Sequence, residues 1–225
     1  MFVEKNGIVY ELNIKTKKGS VKYSDCMLQE AKILDKVNGC VIDTIESKAF
    51  YHCEKLKKIM LPNTITKIKN EVFCGCYKLE KINNDNNLYI ENIGFYAFKD
   101  CHSLISIKFK NLITLGKGTF ENCYNLKFVY LPKSSLSILE ENVFCNCVSL
   151  QELVLTKGIS KVKNNFKGCD SLKKIIFENG ELKPDEFIMN INKDVILYGE
   201  DGWKIQEMAL YGYKFILNKY KNMYH

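Results

Sequence analysis

Apolar residues in this chain follow neither a single helical period nor a simple alternation. They return as a block every 22 to 25 residues. Each block is marked by Phe-x-x-Cys, at Phe50/Cys53, Phe73/Cys76, Phe98/Cys101, Phe120/Cys123, Phe144/Cys147 and Phe166/Cys169. Three residues after each Cys stands Leu56, Leu79, Leu104, Leu126, Leu150 or Leu172. Three further on comes Ile59, Ile82, Ile107, Val129, Leu153 or Ile175. Two beyond that are Leu61, Asn84, Phe109, Leu131, Leu155 and Phe177, with Pro62 and Pro132 following two of them. Agreement of six registers at this period is the mark of a stacked-repeat architecture.

The spacing has a direct physical reading. Leu-x-x-Ile-x-Leu ends in a period-two pair, which predicts a short strand with alternate residues inward. Pro stops that strand, since it has no N–H to donate. A second apolar pair follows at Ile65/Ile68, Leu112/Leu115, Leu136/Leu139 and Ile159/Val162, before Phe-x-x-Cys turns the chain back. The residue before each repeat Cys is His52, Gly75, Asp100, Asn122, Asn146 or Gly168, mostly types that tolerate a tight or left-handed turn. Each repeat is one coil that cannot bury its apolar edge alone, and stacking six makes a continuous core.

Pointing the central aliphatics inward sends their neighbours to solvent. These are Lys58 and Met60, Lys81 and Asn83, Ser106 and Lys108, Phe128 and Tyr130, Glu152 and Val154, and Lys174 and Ile176. Met60, Phe128, Tyr130, Val154 and Ile176 are apolar or aromatic in slots that a purely structural solenoid would make polar. Exposed aromatics at the centre of a surface are typical binding anchors, so partner contact is expected on this face, centred on Phe128 and Tyr130. The competing expectations are ordinary scattered exposure or an alternation displaced by one residue.

Composition narrows the class. With 225 residues, 46% hydrophobic and 26% charged, the chain can bury a sizeable core and is not disordered. No apolar run approaches the roughly 18 residues of a transmembrane helix. The formal charge is +7, yet all 33 basic residues are Lys. Without Arg the bidentate guanidinium contact to guanine or phosphate is missing, which argues against nucleic-acid reading and for an AT-rich coding sequence. Lysines spread over the coils (Lys55, Lys57, Lys58, Lys67, Lys69, Lys161, Lys163, Lys173, Lys174) read as a solvated face, with a polyanion binder as the alternative. Met1 to Gly7 carry no apolar h-region, so no secretory signal is expected and a native Met1 predicts a cytoplasmic protein.

The candidate chemistry is sparse. Six of ten Cys form one repeat column, in which neighbours are near enough for a bridge by distance alone, although buried free Cys also packs as a small hydrophobe. Cys74-x-Cys76 and Cys145-x-Cys147 have the wrong spacing for zinc half-sites and lie three repeats apart. Cys26 and Cys40 lie in the entry segment and could pair in an oxidising environment, which spacing alone does not decide. His52 and His102 fall in turns, Gly116-Lys117-Gly118 is a turn, and Glu140/Glu141 are adjacent surface carboxylates. No catalytic residue, metal ligand or cofactor site is predicted.

The pattern resembles the BspA-like, or Treponema pallidum type, leucine-rich repeats, and Leu56 to Cys76 follows that repeat almost throughout, with Val72 in the Ala position. Asn6 to Leu12 and Lys36 to Ile42 resemble the family's β-rich N-terminal cap. Val195 to Gly199, Gly202 to Tyr211 and Lys214 to Leu217 resemble its strand–helix–strand C-terminal cap. The resemblance implies a β-rich, right-handed leucine-rich-repeat solenoid, with 1–45 as cap, 46–180 as six repeats of about 23 residues and 181–225 as closing cap and tail, all one structural unit. It also implies a packed, reduced Cys column. Two departures, the polar Asn83 to Asn87 stretch and the missing Ala before Phe166, predict looser coils. The implied function is non-enzymatic protein recognition or adhesion to a host or matrix component, on a secreted or surface protein. The contacts are expected on the concave sheet, from Met60, Lys81, Lys108, Phe128, Tyr130, Glu152, Val154, Lys174 and Ile176. An intracellular adaptor or sensor for a cytosolic partner is the alternative.

Overall fold

The computed structural model of the protein describes residues 1–83, 87–131, 136, 138–155, 161–162, 164–177, 191–192, 194–199, 212 and 214–217. The first three strands, β1 (Phe2–Lys5), β2 (Ile8–Asn13) and β3 (Lys18–Ser24), run antiparallel, and β4 (Glu30–Lys32) follows. A second hairpin joins β5 (Lys36–Val37) to β6 (Cys40–Ile45). Both hairpins turn on Asn-Gly, with φ of 52° and 73° at Asn6-Gly7 and 48° and 78° at Asn38-Gly39. Positive φ at both central residues is what a two-residue turn needs to match the twist of its strands.

From there the chain coils, contributing two strands per turn. The first series is β7 (Lys58–Met60), β9 (Lys81–Ile82), β12 (Ser106–Phe109), β14 (Phe128–Leu131), β16 (Glu152–Leu155), β18 (Lys174–Phe177), β19 (Ile196–Gly199) and β20 (Lys214–Leu217). The second is β8 (Lys67–Ile68), β11 (Asn92–Ile93), β13 (Thr114–Leu115), β15 (Ile138–Leu139) and β17 (Lys161–Val162). Strand β10 (Asn87–Leu88) belongs to the first series. Pairing between successive coils is parallel throughout. The result is a leucine-rich-repeat β-solenoid. No helix covers these strands among the described residues; one face packs against the coil interior, so the pattern alternates as a half-buried sheet does.

The long sheet runs β10-β12-β14-β16-β18-β19-β20, while β4, β7 and β9 form a separate three-stranded sheet. The polar stretch of the second repeat makes this break. Asn84, expected inward, lies outside the described residues; Leu88 takes the inward slot instead, paired with Phe109 and buried. An insertion thus splits one strand into β9, which pairs backward with β7, and β10, which pairs forward with β12. Asn83 closes the end of the first piece by accepting a 2.7 Å hydrogen bond from the Leu61 N–H.

Inside, Phe50, Phe73, Phe98, Phe120, Phe144 and Phe166 stack ring on ring, with centroids 5.2 to 6.3 Å apart. All six lie in the core together with the six repeat Leu. In the sixth coil Asn165 replaces the expected Ala. Its side chain is buried, accepting 2.9 Å from the Val143 N–H and donating 3.3 Å to the Leu139 carbonyl. The departure is therefore a satisfied polar bridge. The predicted helix at 202–211 and the tail 218–225 lie outside the described residues, as do Pro132 and Ile159; β19 and β20, predicted as the flanking cap strands, pair with each other in parallel.

Candidate functional site

Register places seven of the nine predicted contact residues in two rows on one face of the long sheet. One row runs Ser106, Phe128, Glu152, Lys174, Ile196 and Lys214; the other runs Lys108, Tyr130, Val154, Ile176, Tyr198 and Ile216. Phe128 is 47% exposed, a large aromatic standing in solvent between Ser106 and Glu152. Beside it Tyr130 is half-buried, with the Lys108 Nζ 4.8 Å from its ring centre. Toward the other end Lys174 Nζ sits 5.0 Å from the Tyr198 ring centre and 3.4 Å from Glu152 Oε2. A third pair, Lys110 and Tyr89, has a 3.0 Å hydrogen bond and a ring-centre distance of 4.7 Å. Each lysine comes from a coil adjacent to its tyrosine, so cation–π contacts knit the outer face as hydrogen bonds knit the backbone.

Two of the expected solvent-facing residues are not exposed. Val154 and Ile176 are only 4% and 3% accessible. They are neighbours in the ladder and are bracketed in it by Tyr130 and Tyr198. The strip is thus a buried aliphatic floor with aromatics at both ends, and its accessible anchor is Phe128. Met60 and Lys81 fall on the three-stranded sheet, where Met60 pairs with Lys32 and Lys81 with Lys58. The nine predicted residues are therefore not one array. Tyr89, Ile196, Tyr198 and Ile216 share the long-sheet region and escaped the sequence reading. Tyr89 is hidden by the insertion, and the other three lie beyond the last Phe-x-x-Cys.

The repeat cysteines form a different structure. Cys76, Cys101, Cys123, Cys147 and Cys169 each donate through Sγ to the carbonyl of the Phe one coil earlier, at 3.0 to 3.2 Å. All ten cysteines are free thiols. Burial pushes the Cys76, Cys101, Cys123 and Cys147 thiols up and carries Cys169 to about 12. The column is thus a hydrogen-bonded ladder of protonated side chains, unsuited to nucleophilic work. The Cys26–Cys40 pairing left open by spacing is not what the structure brings together: Cys40 is buried in β6 and donates to the Asn13 carbonyl at 3.7 Å. No group of three or more His, Cys, Asp and Glu fit to hold a metal occurs among the described residues.

His52 and His102 are not simply solvated. They take part in a chain of ring contacts, Tyr51–His52–Tyr77–His102–Tyr124, with centroids 4.4 to 5.9 Å apart, along the edge beside the Cys column. His102 lies 4.0 Å from Asp100, and Asp100 accepts from Asn122, which accepts in turn from Asn146. One concavity, of about 750 Å³, is an open groove over the N-terminal strands, rimmed by the ion pairs Lys18–Asp43 and Lys69–Glu46. A smaller apolar groove exposes Phe95 and Ile113 beside the second strand series. No helix among the described residues is long and apolar enough to cross a membrane.

Stacked coils, a Phe column, a Cys ladder and an outward aromatic face define a leucine-rich-repeat protein. The match to the BspA type leucine rich repeat region, in six copies over residues 16–138 and 43–173, assigns the chain to that family. Among solved structures, a Treponema pallidum leucine-rich repeat protein is similar at 21% identity and a TM-score of 0.66, over 95% of this chain and 97% of that one. A leucine-rich repeat protein from Eubacterium ventriosum is similar at 19% identity and a TM-score of 0.61, over all of this chain and 52% of the other. No curated protein sequence matches the chain significantly. These likenesses establish the fold. Leucine-rich-repeat solenoids generally serve protein interaction and are generally non-enzymatic scaffolds.

Proposed function

We propose that the protein is a non-enzymatic recognition module that binds a protein partner through the outward face of its long parallel sheet. The observation that carries this is Phe128, 47% exposed in the middle of that sheet beside Tyr130 and the buried Val154–Ile176 floor. A rigid aromatic on a flat, pre-formed surface loses little entropy on binding and desolvates a large area, the usual profile of an interface anchor. Lys108, Lys174 and Lys214 on the same face favour a partner whose apolar patch is rimmed by carboxylates. Adhesion to a host or matrix protein is the form of this reading that the family resemblance supports.

The test uses Phe128→Ala combined with Tyr130→Ala on the whole protein. A specific partner should bind the unaltered chain and lose about 100-fold or more in affinity for the double variant, with unchanged circular dichroism and melting. Equal affinity would remove the face from the interface. Salt separates this reading from polyanion binding: aromatic-centred affinity falls little between 50 and about 200 mM salt, whereas a lysine–phosphate interface weakens by orders of magnitude. The pairing of Lys108, Lys110 and Lys174 with tyrosine rings favours the first.

A further inference from the structure

The Cys ladder has an irregular first rung. Every later member donates to a Phe carbonyl in the coil before it, but Cys53 belongs to the first Phe-x-x-Cys turn and has no such coil behind it. The vacant place is filled from the N-terminal cap. Cys53 Sγ lies 2.6 Å from Cys26 Sγ and 3.6 Å from Ser24 Oγ, and Ser24 in turn donates to the Ala49 carbonyl. The two thiols touch through Cys53 Sγ donating to Cys26 Sγ, and only a small movement separates them from the S–S bond length of about 2.05 Å. Cys26 is also the exposed cysteine of the ten, with weak contacts to the Ser24 and Tyr51 carbonyls, while Cys53 behind it is buried.

We propose that Cys26 and Cys53 form a disulfide that fastens the N-terminal cap to the first coil, installed by exchange with a low-molecular-weight disulfide of the oxidised-glutathione class. The Cys26 thiolate attacks one sulfur of that disulfide, whose S–S bond breaks; a mixed disulfide forms and one glutathione thiolate leaves. The Cys53 sulfur then attacks Cys26, releasing the second glutathione. Two protein thiols are oxidised, one small disulfide is reduced to two thiols, and the two protein protons end on the released glutathiones. The column cysteines from Cys76 to Cys169 are engaged instead by the carbonyl of the Phe one coil earlier, and Cys40 by its contact with Asn13.

The bond closes the chain between residues 26 and 53, around β4, β5 and β6. Its effect is a locked cap, a property separate from the recognition face on the long sheet. By loop closure in the unfolded chain it should raise the thermal midpoint by about 5–10 °C. The experiment treats the full chain with oxidised glutathione, denatures it without reductant, and counts N-ethylmaleimide adducts by mass spectrometry. The expected result is eight adducts from ten cysteines, a Cys26–Cys53 cross-linked peptide and a raised midpoint that dithiothreitol reverses. Cys26→Ser, at an exposed position, should show nine adducts and an unchanged midpoint. Ten adducts, a glutathione left on Cys26, or a link from Cys26 to another cysteine would each overturn the proposal.

Discussion

Each Phe-x-x-Cys turn carries two left-handed residues. Those before Cys, His52, Gly75, Asp100, Asn122, Asn146 and Gly168, have φ between 53° and 75°, as their residue types imply. Those two before Phe are Lys48, Glu71, Tyr96, Gly118, Asn142 and Asn164, with φ between 35° and 63°. Lys48, Glu71 and Tyr96 hide this second position, since non-Gly left-handed backbone costs about 1–2 kcal/mol and such residues rarely occupy it. Inter-coil hydrogen bonds hold them there: Lys48 N–H to Asn70, Glu71 to Phe95 and Tyr96 to Lys117. Glycines separate two mechanisms that look alike in sequence. A Cβ on Gly116 would meet Gly94 backbone at 2.5 Å, whereas one on Gly39 meets nothing within 4 Å. Gly116→Ala should therefore cost about 2–4 kcal/mol in urea unfolding and Gly39→Ala only about 1, through its φ alone.

The same scale governs the thiols. Buried column cysteines keep their protons above the pH at which unfolded thiols, near their ordinary 9.0, have lost them. Above that pH the folded state binds more protons than the unfolded one, so stability is full below about pH 8 and declines as pH rises through 9 toward 12. Urea unfolding in reductant at pH 7.5, 9 and about 10.5 should show the decline, and Cys123→Ala should shallow it while lowering stability by about 1–3 kcal/mol at neutral pH. An identical slope in the variant would deny the thiol a part in it.

At the scale of elements, strand existence was readable and strand continuity was not. Ile59, Ile107, Val129, Leu153 and Ile175 mark their strands because alternation is imposed by the pleat itself. The second repeat misled for a concrete reason: counting from Ile82 put Asn84 inward, but four residues are inserted before Leu88 regains the register with Phe109. A polar run was legible; where pairing resumes depends on the neighbouring coil. Asn165 is the reverse case, a polar residue in an apolar slot that the fold satisfies on both sides. Asn165→Ala strands the Val143 N–H and the Leu139 carbonyl, and should cost about 1–3 kcal/mol, measured by chemical denaturation. The two Asn-Gly hairpins of the cap are the signal that sequence reading could have used and did not, since that dipeptide alone specifies the turn.

For the molecule as a whole, stability is spread along a stack in which each coil touches only its neighbours. The Phe column is the most continuous of these contacts, and Phe120 lies in its interior between Phe98 and Phe144. Phe120→Ala should cost about 3–5 kcal/mol and uncouple the two ends, so that amide hydrogen exchange reports separate protection for coils before and after it. A single cooperative loss would contradict nearest-neighbour coupling. Truncating Phe128, exposed on the outside, should leave the melting curve where it is; its consequence is confined to recognition.

Read alone, the chain determined its repeat length, its inward positions, its turn chemistry and its family, because each depends on residues a few places apart and on a period repeated six times. The folded coils settled three other matters: that Val154 and Ile176 are a floor and not a surface, that Met60 and Lys81 stand on a separate sheet, and that Cys26 meets Cys53 rather than Cys40. All three turn on which side chains the stacking brings side by side across coils, 22 or more residues apart, and periodicity within one strand carries no information about that.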